Sequence, residues 1–254
     1  MIPKRKVALL LKGAISITGG VIRFAVKDEN NYINFKNIKP SIDTFILKPN
    51  KDIADIDIYI HCWNVDLQQE LCSLYNPVKY KFEKNAPLLE PYHELGDHRM
   101  RQVSQGFAIK HGIELIESTN IEYDQIIIYR PDMFLWKEMN LEKYDLSKIY
   151  VNEMKYTPYL SGDFHFVMNQ KNASIFKNLV DSINLGNDPY PHVWIRKYVN
   201  NFMKMELVSD GILEEEHQEV YRKIARLKSL GKLQEKIFLT EQILKKMNLS
   251  YNDL

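Results

Sequence analysis

Cysteine is scarce in this sequence and an excess of charge of one sign is absent, and each of these features excludes a class of protein. Only two of the 254 residues are cysteines, Cys62 and Cys72. Two cysteines do not form a disulfide framework, so we expect a chain that belongs to a reducing compartment. The 34 basic and 33 acidic side chains leave a formal net charge of +1, which gives no field that would favour nucleic acid as a partner.

A hydrophobic run long enough to cross a membrane is missing as well. Near the N-terminus, the basic residues Lys4–Lys6 precede an apolar run, Val7–Leu11, that ends at Lys12. This run is too short for a secretory signal and far below the ~20 residues that a membrane-spanning helix needs. We therefore expect a soluble cytoplasmic protein, with peripheral contact at the inner face of the membrane left open.

Common catalytic and nucleotide-binding motifs are also missing. The segment GAISITGG, residues 13–20, has several glycines but is neither a GxGxxG fingerprint nor a Walker motif. The chain contains no GxSxG elbow, CxxC pair, HExxH helix or kinase motif set. These absences count against the familiar dinucleotide-binding, P-loop, hydrolase and zinc-protease classes.

Short apolar segments alternate with helical patterns along the first 200 residues and predict an α/β fold. The predicted strands are Lys6–Leu11, Asp57–Cys62, 78–84, 124–130, 148–153 and 164–169. A helix is predicted from Asp97, as its N-cap, to Gly112, as its C-cap. Alternation of this kind is typical of a mostly parallel sheet flanked by helices. Helical periodicity from Leu213 onward predicts a helical C-terminal extension, and we divide the chain into 1–208 and 209–254.

In a parallel sheet, ligands bind beyond the carboxyl ends of the strands, and polar residues follow several predicted strands here. They are Lys12 and Gly13, Trp63 and Asn64, and the group Arg130-Pro131-Asp132. An arginine at such an edge can pair with a phosphate, and an aspartate can hold Mg²⁺ or Mn²⁺. The alternative is a structural Arg–Asp pair at the end of a strand.

Five further residues are candidates for the same site. Asp163 and His165 are two apart in an extended segment, so we expect them on one side, where either can act as a base; an edge strand with its polar face in water is the alternative. His192 precedes a predicted helix and is a candidate metal ligand. Arg101 and Gln105 share a helix face and are candidates for binding a nucleotide or sugar, although a solvated helix face is the commoner explanation for such residues.

The order of these segments carries a family resemblance. The motifs read KVALLLKGAIS, DIYIHCWN, YNPVKYKFEK, QVSQGFAIKHG, YDQIIIYRPDM and GDFHFVMNQ. With them, the chain from about residue 6 to about residue 200 resembles GT-A-type glycosyltransferases of bacterial surface-polysaccharide gene clusters and large viruses. The Arg130-Pro131-Asp132 group is the most specific element of this resemblance.

The resemblance implies a GT-A-like nucleotide-sugar-binding domain in which Arg130-Pro131-Asp132 stands in place of a D-x-D motif. Asp132 would then hold Mn²⁺ or Mg²⁺ on the donor diphosphate. Arg130 replaces the first acid of that motif, and an arginine can neutralise a diphosphate without a metal, so both modes stay open. Asp163 falls in the sugar or acceptor pocket, and His192 lies near a position where the family often has a glutamate.

We therefore expect a glycosyltransferase that moves a sugar from a nucleoside-diphosphate donor to a glycan or lipid-linked acceptor, in capsule or lipopolysaccharide synthesis. An inverting enzyme needs a carboxylate base, for which Asp163 is the first candidate and His165 its rival; a retaining enzyme does not need one. The alternatives are a nucleotidyltransferase and a non-catalytic nucleotide-sugar-binding module. The C-terminal tail has lysines beside apolar residues, namely Lys232, Lys236, Lys245 and Lys246. This pattern suits contact with a membrane surface; the alternatives are a helix packed on the domain and a dimer contact.

Overall fold

The computed structural model describes residues 3–14, 35–131, 133, 135, 137–153, 162–185, 191–214 and 245. Within them, seven strands form one sheet in the order β3-β2-β1-β4-β6-β5-β7. The pairings β1–β2, β1–β4, β2–β3 and β5–β7 are parallel, whereas β6 is antiparallel to both β4 and β5. The chain is thus a mixed α/β protein with a mostly parallel sheet, as the alternating pattern predicts.

The strands lie close to their predicted positions, with one addition. Their bounds are β1 Arg5–Gly13, β2 Ala54–Cys62, β3 Lys79–Phe82, β4 Gln125–Tyr129, β5 Ile149–Glu153, β6 His165–Met168 and β7 Leu207–Glu214. β3 lies at one edge of the sheet. β7 was not predicted as a strand.

The helices pack around this sheet, the longest of them against β1, β2 and β3. Their bounds are α1 Phe35–Ile42, α2 Lys48–Asn50, α3 Gln68–Tyr75, α4 Ala86–Leu89, α5 Asp97–Glu117, α6 Gln170–Phe176 and α7 Pro191–Lys197. A π-helical stretch, Asp43–Leu47, joins α1 to α2. A second one, Tyr198–Met203, follows α7.

β1 and β4 are buried on both faces, which explains their unbroken apolar sequences. Val7, Leu9 and Leu11 contribute to a core on one side of the sheet. Ala8 and Leu10 contribute to the core on the other side, where α5 packs. The sheet is therefore the middle layer between two apolar cores, and its strand ends form one edge.

The ends of helix α5 differ from the prediction. Its N-cap is Gly96, and Asp97 is the first helical residue. The predicted C-cap, Gly112, lies inside the helix, where a Cβ would meet Leu10 Cδ2 at 2.5 Å. Gly112 is therefore explained by close packing of α5 on β1, not by a left-handed helix end.

β7 also changes the expected C-terminal organisation. Its residues pair in parallel with β5, from Ile149 opposite Leu207 onward. The predicted boundary between residues 208 and 209 falls inside this strand, and the predicted helical start at Leu213 is wrong because Leu213 belongs to the sheet. Of the proposed helical extension, everything after residue 214 except Lys245 lies outside the described residues.

Candidate functional site

Most of the residues singled out in the sequence lie at the carboxyl edge of the sheet, where the parallel strands end. β1 ends at Gly13, β2 at Cys62 and β4 at Tyr129. β6 runs the opposite way and begins at this edge, with His165 opposite Tyr129. As a result, Arg130, which follows β4, and Asp163, which precedes β6, come together although they are 33 positions apart in the sequence.

Asp163 is the centre of this group. Its side chain is 9% exposed. The Gln105 side-chain amide, from α5, donates to the Asp163 backbone carbonyl at 3.3 Å and to Oδ2 at 3.4 Å. Arg130 Nη1 lies 3.7 Å from the same Oδ2, and His192 Nδ1, from α7, lies 3.9 Å from Oδ1. Three of the predicted site residues, Gln105, Arg130 and His192, therefore surround the carboxylate of a fourth, Asp163.

The two oxygens of this carboxylate are in different situations. Oδ2 accepts from Gln105 and faces the Arg130 guanidinium. Oδ1 is buried and has no hydrogen-bond partner in the described part of the chain. A buried acceptor without a donor is costly and calls for a specific explanation. Oδ1 is thus an acceptor for which a bound hydroxyl is a suitable partner.

The chain around Asp163 is held by close contact with β5. Phe164 N donates to Asn152 Oδ1 at 3.0 Å. Gly162 packs so tightly on Asn152 that an added Cβ would overlap that side chain. A residue larger than glycine therefore has no room at this position. This contact fixes where Asp163 enters the site.

Arg130 is positioned by both its backbone and its side chain. Its N–H donates to the Phe164 carbonyl at 2.9 Å, and its guanidinium carbon lies 5.3 Å from the centre of the Phe164 ring. The side chain stays 26% exposed, so its charge can reach a ligand at the edge. Asp132, the metal residue implied by the resemblance, lies outside the described residues.

His165 does not share a side with Asp163, and that expectation is wrong. Phe164 lies in a bend, which breaks the alternation of an extended strand. Asp163 contacts α5 and α7, whereas His165 is fully buried and its Nε2 lies 2.7 Å from Asp210 Oδ2 of β7. Tyr144 donates to the same oxygen at 2.9 Å. Burial and the nearby Asp210 raise the pKa of Tyr144, so its proton stays in place as a donor.

The remaining predicted residues occupy other parts of the same edge. Lys12 is 2% exposed and pairs in register with His61. Gly13 has φ of +104°, and a Cβ there would meet no described atom within 4 Å, which suits close approach of a ligand. Trp63 packs edge-on against His61. Asn64 is buried, and Arg101 is exposed on α5.

A second polar cluster lies further along this edge and was not predicted. His61 of β2 and His111 of α5 both contact Glu83 Oε1, with nitrogen–oxygen distances of 2.9 Å and 2.5 Å. Lys81 Nζ lies 3.0 Å from Glu83 Oε2. Burial alone would raise the pKa of Glu83, but hydrogen bonds from His61, Lys81 and His111 outweigh it and lower the pKa to about 2. Burial lowers the pKa of His61, which keeps this imidazole neutral near pH 7.

The residues around Asp163 do not by themselves make a Mn²⁺ or Mg²⁺ site. These ions prefer several hard oxygen ligands. The described group offers one carboxylate, whose Oδ2 already faces a guanidinium at 3.7 Å. A divalent cation at that oxygen would be repelled by Arg130. Of the two metal ligands that the sequence suggested, His192 lies 3.9 Å from Asp163 Oδ1, and Asp132 lies outside the described residues.

Comparison with known proteins adds no assignment: no protein-family model matches the chain, and no curated protein matches it significantly. In the part of the chain that the structure describes, none of the helices has the length and apolar character to cross a membrane. The chemistry of the carboxyl edge is therefore the main guide to function.

Proposed function

We propose that the protein is a glycosyltransferase that moves a sugar from a nucleoside-diphosphate donor to a hydroxyl of a glycan or lipid-linked acceptor. The observation that carries the proposal is the buried Asp163 carboxylate at the carboxyl edge. Gln105 and Arg130 lie at one of its oxygens, and the other oxygen accepts no hydrogen bond in the described part of the chain. The resemblance of the ordered motifs to GT-A-type glycosyltransferases supports the same reading. Capsule and lipopolysaccharide synthesis are the pathways that the resemblance suggests.

Arg130 is proposed to meet the donor diphosphate. Its guanidinium is permanently charged and forked, which suits bidentate contact with phosphate oxygens. Charge on the leaving diphosphate grows as the sugar–phosphate bond breaks, so a fixed cation there stabilises the transition state more than the ground state. The position of Arg130 beside Asp163, with its side chain 26% exposed at the carboxyl edge, supports this role.

Asp163 is proposed to act as the general base of an inverting transfer. Its Oδ1 would accept the proton of the acceptor hydroxyl as the hydroxyl oxygen attacks the anomeric carbon. The bond from that carbon to the diphosphate breaks, and the diphosphate leaves with the electron pair. Gln105 donates to Oδ2 and so holds the carboxylate in one orientation. His165 is buried against Asp210 and is better suited to supporting the fold.

The first test is a thermal-shift panel with UDP-, GDP-, CMP- and dTDP-linked sugars, each with Mn²⁺ and with excess EDTA. A ligand that binds the folded state raises the midpoint by mass action. We expect one nucleotide class to raise it in EDTA, and Arg130→Gln to lose that shift while Asp181→Asn, on the exposed Lys110–Asp181 pair, keeps it. A shift that requires Mn²⁺ and is lost in Asp132→Ala would return the diphosphate role to a metal.

The same panel separates the alternatives. No shift with any nucleotide sugar would contradict the proposal. Binding of free nucleoside triphosphates in preference to nucleotide sugars would favour a nucleotidyltransferase. Binding of a nucleotide sugar without transfer or hydrolysis, in the presence of candidate acceptors, would favour a non-catalytic binding module.

A further inference from the structure

The His61–Glu83–His111 cluster lies where three separate elements meet. His61 is next to last in β2, Glu83 directly follows β3, and His111 is on α5. The register aligns His61 with Lys81, and Glu83 N donates to the Cys62 carbonyl at 3.2 Å. The sheet ladder therefore brings the first two side chains together, and packing of α5 on β2 and β3 adds the third.

The three side chains present a converging set of donor atoms. One ligand atom from each residue, two imidazole nitrogens and a carboxylate oxygen, can be chosen so that all lie within 4.8 Å of one another. His61 is fully buried, and its Nδ1 has no hydrogen-bond partner in the described part of the chain. Three donors on three elements are a more specific arrangement than an acidic surface patch.

We propose that this cluster is a binding site for Zn²⁺, with His61, Glu83 and His111 as its ligands. Imidazole and carboxylate donors together suit zinc, and sites with three protein ligands leave a fourth position for water. This inference does not depend on the glycosyltransferase proposal, because the cluster is separate from the Asp163 group. A bound ion would tie the ends of β2 and β3 to α5 beside Trp63.

The distances between the donor atoms are compatible with zinc if these atoms move slightly apart. Zinc–ligand bonds of ~2.0–2.1 Å in a tetrahedron place donors about 3.3 Å apart. The two nitrogens here lie 2.9 Å and 2.5 Å from Glu83 Oε1. Each nitrogen must therefore move roughly 0.4–0.8 Å away from Glu83 Oε1 to reach that spacing. Shorter distances of this kind are expected when protons, and not a metal ion, lie between the nitrogen and oxygen atoms.

Proton positions are also compatible with binding. At 2.5 Å from a carboxylate oxygen, His111 Nδ1 carries a proton and donates it, and that proton must leave when zinc binds. His61 can keep its single proton by moving it from Nε2 to the partnerless Nδ1.

Lys81 is the group that opposes the ion. Its Nζ lies 3.0 Å from Glu83 Oε2 and 3.3 Å from His111 Nδ1. The side chain is 43% exposed, so it can turn into solvent when zinc enters. Removing its charge should therefore tighten zinc binding, whereas a simple ion-pair network would give no such effect.

Isothermal titration calorimetry with ZnCl₂ on the metal-stripped full chain tests the site. We expect one zinc per chain, at least about 100-fold weaker binding in Glu83→Gln, and about 3- to 10-fold tighter binding in Lys81→Met. His93→Asn is the matched control, because His93 is exposed and its hydrogen bond within the described residues is to the nearby Glu90 carbonyl. His111→Gln is a second variant that lacks a proposed ligand. Circular dichroism on it shows whether zinc binding is lost because the ligand is missing or because the protein has unfolded.

Three outcomes would overturn the proposal. They are absence of zinc binding by the folded wild-type chain, equal zinc affinity in the wild type and Glu83→Gln, and loss of binding in His93→Asn. A second readout is tryptophan fluorescence: zinc should change the emission of the wild type but not of Trp63→Phe, since Trp63 packs 4.5 Å from His61 by ring centroids. None of these measurements depends on sugar transfer.

Discussion

Glu83 gives the clearest prediction of how stability should depend on pH in the metal-free chain. The carboxylate accepts from His61 and His111 and pairs with Lys81, and its pKa falls from the ordinary 4.5 to about 2. A carboxyl with a lowered folded-state pKa stabilises the protein above its unfolded pKa and loses that contribution as pH falls. The stabilisation should therefore disappear between pH 4.5 and pH 2.

The magnitude follows from the same two pKa values. Each pKa unit corresponds to about 1.4 kcal/mol, so the difference from 4.5 to about 2 sets an upper value of about 3 kcal/mol. The Glu83 side chain is 23% exposed, and contact with water weakens its interactions to give roughly 2 kcal/mol. Glu83→Gln should lower the free energy of unfolding by this amount near pH 7.

Urea denaturation in excess EDTA, followed by circular dichroism at several pH values, measures this contribution. The difference between wild type and Glu83→Gln should fall to less than half of its neutral-pH value by about pH 3. Glu70→Gln is the matched control: Glu70 forms an exposed ion pair with Lys36 and should change stability by less than about 0.5 kcal/mol. A difference that stays constant from pH 7 to pH 3 would refute the reasoning.

Two further predictions concern contacts that position the candidate site. Gly162→Ala should cost about 1–3 kcal/mol, because the added Cβ overlaps the Asn152 side chain; an unchanged urea midpoint would show that β5 and β6 separate easily there. Asp210→Ala should cost about 2–4 kcal/mol because it leaves buried His165 and Tyr144 without their acceptor, whereas Tyr144→Phe should cost only about 1 kcal/mol by the same denaturation assay. Equal losses in these two variants would show that Asp210 contributes nothing beyond its bond to Tyr144.

Strands with strong local signals could be predicted from the sequence. β1 and β4 are continuous apolar runs covered on both faces, and their sequence alone indicates that environment. β7 could not be predicted in this way, since LVSDGILE contains Ser209, Asp210 and Gly211 and resembles a polar loop. Its pairing with β5 is a tertiary effect that local propensity does not encode.

The candidate site, like the strands, could be predicted from the sequence only in part. The rule that ligands bind at carboxyl strand ends located Arg130 and Asp163 separately, and the sheet order then placed them side by side. The bend at Phe164 that turns Asp163 away from His165 has no signal in a strict strand pattern. Glu83 and His111 were missed because they are 28 residues apart and meet only through packing of α5.

The proposal of sugar transfer at Asp163 is tested most directly by comparing donor binding and transfer in Asp163→Asn. The asparagine keeps the size of the side chain and an oxygen for the Gln105 amide, but it cannot take a proton. We predict that the thermal shift with the preferred nucleotide sugar stays within error of the wild type. The rate of sugar transfer should fall by at least about 100-fold. Transfer at the wild-type rate by a folded, donor-binding Asp163→Asn protein would contradict the account.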